Sequence, residues 1–151
     1  MKKILALTIL PLALASCNMF GVPNGDVSGN ILGKQPVDGT VRLAMRGITL
    51  AGFQTPVLDQ GNIGTFNPEK RAYVISLPSK PAEGAYELFA YVDANGSNTL
   101  DEKETRTKVT TTTFVYSKEG NTVLNIRSGW NMYDGLTLQK NGTPFQYDLN
   151  W

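Results

Sequence analysis

The sequence predicts an all-β chain: a single antiparallel β-sandwich of about 7–9 short strands behind a cleaved leader. Three observations lead there. Of the 151 residues, 15 are Gly, 8 are Pro and 15 are Thr, a composition that favours strands and turns over helices. Short runs alternate apolar and polar side chains, with Gly, Asn and Pro clustered between them. After residue 16, no stretch keeps a helical period with caps. The length suits one domain, and no internal repeat suggests a second.

The strands follow in order. Residues 27–33 read as the first. Residues 40–46 alternate, with Val41, Leu43 and Met45 on one face and Arg42 and Arg46 on the other. Residues 47–71 hold four Gly and two Pro and predict one weak strand among loops. Residues 72–77 (AYVISL) and 85–92 (AYELFAYV) carry the strongest β signal. The second of these has two partly apolar faces, as a central strand does. Residues 109–116 and 122–127, separated by Ser-Lys-Glu-Gly-Asn, predict a hairpin. Residues 136–139 and 145–149 flank Lys140-Asn141-Gly142-Thr143, and Asn-Gly between alternating runs predicts another. A closed membrane barrel is the alternative all-β fold, but its strands need about 9–11 residues and most of these are shorter.

The first sixteen residues read as an export signal. Lys2 and Lys3 precede an apolar run over residues 4–15. Twelve helical residues span about 18 Å, short of the ~30 Å hydrocarbon core. A cleaved signal therefore fits better than a transmembrane anchor. Leu14-Ala15-Ser16-Cys17 resembles the lipobox of bacterial lipoproteins. That resemblance implies cleavage before Cys17, a diacylglycerol on its thiol and an acyl chain on the new amino terminus. Two or three acyl chains hold a protein to a bilayer durably, whereas one does so marginally. The alternative is an ordinary secretory signal in which Cys17 is incidental. Asn18, where an Asp would resemble an inner-membrane retention signal, leans the expected location towards the outer membrane. Residues 17–25 then form the lipidated terminus and tether, and 26–151 the sandwich.

Charge and composition exclude several classes. Without Lys2 and Lys3 the chain carries twelve basic and thirteen acidic side chains, too even a balance for non-specific nucleic-acid binding. Histidine is absent, which excludes Ser-His-Asp and Cys-His catalysis and every histidine metal ligand. Cys17, the sole cysteine, can make no internal disulfide. Ser79-Lys80 and Ser117-Lys118 sit in no nucleophile turn. The expectation is a non-catalytic protein.

Three short motifs, Val27-Ser28-Gly29-Asn30-Ile31, Gly39-Thr40-Val41-Arg42-Leu43 and Glu83-Gly84-Ala85-Tyr86-Glu87-Leu88, resemble carboxypeptidase-regulatory-like (transthyretin-like) β-sandwich domains. The resemblance covers roughly residues 26–92 and implies adhesion, binding or scaffolding rather than catalysis. The long Gly/Pro-rich middle departs from the usual spacing of that family.

Residues 93–104 (DANGSNTLDEKE) carry the richest chemistry. Numbered as a calcium loop, Asp93, Asn95 and Ser97 take positions one, three and five. Thr99 takes seven through its carbonyl, Asp101 takes nine and Glu104 takes twelve. Each supplies oxygen, as a hard divalent cation requires. The loop resembles an EF-hand-type loop set after a strand, with Asn98 where that pattern has Gly. Three carboxylates imply weak calcium binding, about 10⁻⁵ to 10⁻³ M. A polar turn would use the same residue types. Its acidic residues also raise the option of a two-carboxylate hydrolase, though ion ligation accounts for them more simply. Residues 102–108 alternate in charge and read as a solvated connector.

Towards the C-terminus, Trp130, Tyr133 and Trp151 are candidates for stacking on a glycan or small ligand, or else for packing. The expected partners are the membrane, through the anchor, and another envelope protein or a glycan.

Overall fold

Two sheets form because strands of each bury a row of side chains against the other. The computed structural model describes residues 25–51, 55–56, 59–61, 63–120, 122 and 125–151; residues 1–16, Cys17 and the tether to Asn24 lie outside them. Among the described residues there is no helix, and eleven strands fall into two sheets. The count exceeds the expected range because the middle and the C-terminal segment each divide into short pieces.

The first sheet holds β1 (Val27–Leu32), β4 (Gly64–Asn67), β5 (Ala72–Ile75), β10 (Phe145–Gln146) and β11 (Leu149–Asn150). Its order is β10-β1-β5-β4, with β11 also on β1. The second runs β3-β2-β6-β7-β8-β9, from β3 (Asp59–Gly61), β2 (Thr40–Ile48) and β6 (Gly84–Asp93) to β7 (Thr112–Ser117), β8 (Gly129–Asp134) and β9 (Thr137–Asn141). As its two-faced pattern predicts, β6 is central, paired along most of its length with β2.

Alternation builds the core. Val27, Ile31, Tyr73, Ile75, Phe145 and Leu149 of the first sheet pack against Leu43, Met45, Tyr86, Leu88, Phe114 and Trp130 of the second. The outer face of the six-stranded sheet is also partly apolar. Ala85, Val115, Ile126 and Tyr133 cluster there, and Ala44, Phe89 and Tyr91 pack with Leu100.

Four expectations are corrected. Residues 122–127 are not the hairpin partner of β7: Thr122 and Asn125 stand in turns, and β7 pairs with β8 through Tyr116↔Trp130. Burying Trp130 and placing Met132 against the core moves the strand downstream, and Asn131 beside them satisfies its amide locally. Its Nδ2 donates to the carbonyls of Arg127 (2.9 Å) and Gly129 (3.0 Å), and its Oδ1 accepts from the Arg127 amide.

The Asn141-Gly142 step does not close a hairpin either. It carries the chain from β9 across to the other sheet, where β10 and β11 run parallel to β1. β9 descends to the end at which β1 begins, so a strand entering beside β1 there rises in the same direction. Among the described strands, pairing is thus antiparallel except along this seam. A ladder holds it: Phe145 N–H donates to Asp26 O (2.7 Å), Tyr147 N–H to Ser28 O (3.0 Å) and Trp151 N–H to Leu32 O (3.2 Å). Between β10 and β11 the Asp148 carboxylate accepts from the Asn30 amide at 2.7 Å. Gly29 is required at this point, since a Cβ there would stand 1.9 Å from the Tyr147 carbonyl oxygen.

Residues 47–71 contribute two short strands rather than one. The expected solvated connector, residues 102–108, is in part a strand extension. Val92 N–H donates to Thr105 O and Thr107 N–H to Ala90 O, while buried Thr107 accepts from the Ala90 amide through its hydroxyl. The acidic loop is therefore the tip of a hairpin built on the upper end of β6.

Candidate functional site

Asp93 is the last residue of β6, and the hairpin of residues 94–104 folds over it. Asp93 Oδ2 accepts from Arg42 Nε at 2.6 Å and from the Asn98 amide at 3.2 Å; its Oδ1 accepts from the Ser97 amide at 3.1 Å. The Arg42 guanidinium also reaches Asn98 Oδ1. Asn98 adopts φ of 62°, so the left-handed turn that favours Gly is made here by Asn.

The next positions close on one another. Asn95 Oδ1 accepts from the Ser97 amide (2.9 Å) and its Nδ2 donates to Asp101 Oδ2 (2.7 Å). Ser97 Oγ donates to the Thr99 carbonyl at 3.1 Å. Glu104 Oε2 accepts from the Asp101 amide at 3.0 Å, and Glu104 N–H returns a bond to Asp101 O. Asp93, Asn95, Ser97, Asp101 and Glu104 thus join one hydrogen-bonded loop, with the Thr99 carbonyl inside it. Among the described residues, three or more acidic side chains do not converge as a metal centre would need. An ion here would rely on the amide, hydroxyl and carbonyl oxygens.

Two atoms at this site lack partners. Glu104 Oε1 and the Tyr91 hydroxyl are sealed from solvent with no hydrogen-bond partner among the described residues. Burial, foremost, and then the Glu104 charge push the Tyr91 phenol upward. A buried oxygen is costly unless a hydrogen-bond donor, a water or a cation satisfies it. Asn95, Ser97, the Thr99 carbonyl and Glu104 Oε1 are the oxygens available to hold one, beside Asp93 and Asp101.

Arg42 and Tyr91 escaped the reading of the sequence. Both alternate outward on their strands, and register supplies the missing information: Thr40 faces Asp93 and Arg42 faces Tyr91. Arg42 and Asp93 are therefore diagonal neighbours, within reach of a long side chain. Further along the face, Arg46 and Arg106 both bond Glu87 and lie over the Phe89 ring, 5.7 and 5.3 Å from its centroid.

The pairing sets a pH dependence. The Arg42 hydrogen bond chiefly, with the Asn98 and Gly96 amides, holds the Asp93 carboxyl below its usual range despite burial. A carboxyl lowered in the folded state contributes stability in full above its unfolded pKa, and that contribution fades as pH falls through the folded one. Melting temperature should therefore drop below pH about 4. In Asp93→Asn this acid limb should flatten, which melting curves across the acid range will measure.

The three aromatic candidates do not share a surface. Trp130 is buried in the main core, Tyr133 packs on the opposite face of the same sheet, and Trp151 lies half-buried at the edge of the core. Cys17 lies outside the described residues. No family model matches the chain, and neither a curated protein nor a solved structure does.

Proposed function

We propose that this chain is a lipid-anchored cell-envelope module, held at Cys17, that acts without catalysis as a structural or interaction domain and is stabilised by calcium at residues 93–104. The observation that carries the calcium reading is Glu104 Oε1, buried and unpartnered at the twelfth loop position, where a calcium loop places its terminal carboxylate. The anchoring is read from Leu14-Ala15-Ser16-Cys17, and the topology says only where an anchored domain would point. The described chain starts at the foot of β1, beside the ends of β5 and β9. The loop crowns the far end of β6, ten residues or about 30 Å away. A tether at Cys17 would leave the loop directed away from the bilayer, open to calcium and to a partner.

Calcium would act thermodynamically. An ion that binds only the folded state stabilises it with the logarithm of its excess, about 2.7 kcal/mol at a hundredfold excess over the dissociation constant. The full chain in detergent should melt several degrees higher in millimolar calcium than in EGTA, with magnesium giving less. Glu104→Gln should abolish the rise. No shift across millimolar calcium would refute the ion reading. Anchoring is tested separately, by the intact mass of the mature chain and by release of Cys17→Ser from the membrane fraction.

A further inference from the structure

We propose that Asn95–Gly96, at the tip of the acidic loop, is a self-modification site at which the Asn95 amide becomes a carboxylate. Asn followed by Gly is the step at which a side-chain amide most readily meets the next backbone nitrogen, because Gly places no Cβ in the way. Two such steps lie within the described residues, at 95–96 and 141–142, and the fold treats them differently. Asn95 and Gly96 are exposed, and nothing lies within 4 Å of where a Gly96 Cβ would stand. Asn141 is a strand residue paired with Asn131. Its Oδ1 is sealed from solvent and the Gly142 amide is bound to Trp130 O at 2.8 Å.

One bond at Asn95 favours ring closure. The Gly96 nitrogen, after losing its proton to hydroxide, attacks Asn95 Cγ; the new C–N bond forms, the C–NH2 bond breaks, and the amide nitrogen takes a proton from water and leaves as ammonia, regenerating hydroxide. Negative charge develops on Oδ1 in this step. The Ser97 amide already donates to that atom at 2.9 Å and is placed to stabilise it. Two bonds oppose the reaction, from the Gly96 amide to the Asp93 carboxylate and from Asn95 Nδ2 to Asp101 Oδ2; since the following amide is bound at both steps, the difference between them is exposure. Water then opens the five-membered imide at either carbonyl, giving Asp or isoaspartate, and one water is consumed for each ammonia released.

The Asp product changes the loop's electrostatics. Asn95 Nδ2 now donates to Asp101 Oδ2 at 2.7 Å, and a carboxylate would place two anionic oxygens at that contact. Repulsion replaces a hydrogen bond, and a cation between the oxygens is the remedy. This consequence rests on the calcium reading of the same loop; the modification does not. The chemistry would turn a loop that closes by hydrogen bonds into one that requires an ion.

Peptide mass mapping of the full chain, incubated near neutral pH, tests the proposal. Asn95 should gain the mass of an amide-to-acid change at least about tenfold faster than Asn141. In the urea-unfolded chain the two rates should become similar. Equal rates in the folded chain, or faster change at Asn141, would overturn the proposal. The Asn95→Asp variant should melt below the parent in EGTA and regain that loss with calcium. A variant that melts alike in both would overturn the ion requirement while the mass readout still decides the modification.

Discussion

Replacing Trp130 with Ala is expected to lower the unfolding free energy by about 3–5 kcal/mol, the range for removing a large buried aromatic ring. The indole stands with its centroid 5.3 Å from those of both Tyr86 and Tyr116, each at an interplanar angle of 59°. Its Nε1 donates to the Pro78 carbonyl at 3.0 Å, tying the β5–β6 connection to β8. Truncation removes the ring's contacts, leaves a cavity the two tyrosines cannot fill, and strips Pro78 O of its donor. Urea unfolding should show a lower midpoint with an unchanged slope. Trp130→Phe keeps most of the volume but loses the donor, so it should cost about 1–3 kcal/mol. A tryptophan serving as an exposed ligand platform would behave otherwise, its removal moving stability by only about 0.5 kcal/mol.

β8 also explains why part of the fold was legible in the sequence and part was not. β2, β5 and β6 announce themselves because alternation and β-branched or aromatic residues agree along each run. In β8 a fully buried Asn131 interrupts the apolar pattern, and its bonds to Arg127, Gly129 and Val115 make that burial tolerable. The Asn141-Gly142 step was a sound turn signal with the wrong consequence. A dipeptide specifies a local reversal, whereas the burial of Phe145 and Leu149 against β1 decides which sheet the chain joins. Residues 47–71 hid two strands of three and four residues among glycines and prolines, too short for a period to register.

The acidic loop divides the same way. Oxygen donors at alternate positions are a property of twelve consecutive residues and could be read directly. Arg42 could not, because its approach to Asp93 depends on the β2–β6 register across 51 positions of sequence. The hairpin that carries the loop depends likewise on residues 105–107 adding to the edge of β6.

Above pH about 10 the protein is expected to lose about 1.4 kcal/mol of stability per pH unit through Tyr73 alone. Its ring is buried, and its hydroxyl donates to the Tyr147 carbonyl between β10 and β11. Burial, chiefly, and then the Tyr147 and Asp148 charges push this phenol far above its ordinary value. The unfolded chain gives up the Tyr73 proton near its ordinary pKa while the folded chain keeps it. From there upward the native state binds more protons, so stability falls as pH rises, and below that point the contribution is complete. Tyr86, Tyr91, Tyr133 and Tyr147 are also raised, with burial the first cause in each, and add to the limb. At neutral pH, Tyr73→Phe should cost about 1–3 kcal/mol, because Tyr147 O loses its donor. The variant lacks this proton, however, so its alkaline limb should be shallower, and the two curves should converge within roughly two pH units above 10. Urea midpoints from neutral to alkaline pH measure both effects. Parallel curves would place the alkaline limit on the other tyrosines; convergence would place it where β10 and β11 ride on β1. Among the described residues that seam is the one part of the sandwich built parallel, and its ladder is interrupted at Asp148. A hydroxyl reaching over Gly29 from β5 supplies the seam with a bond that neither short strand makes for itself.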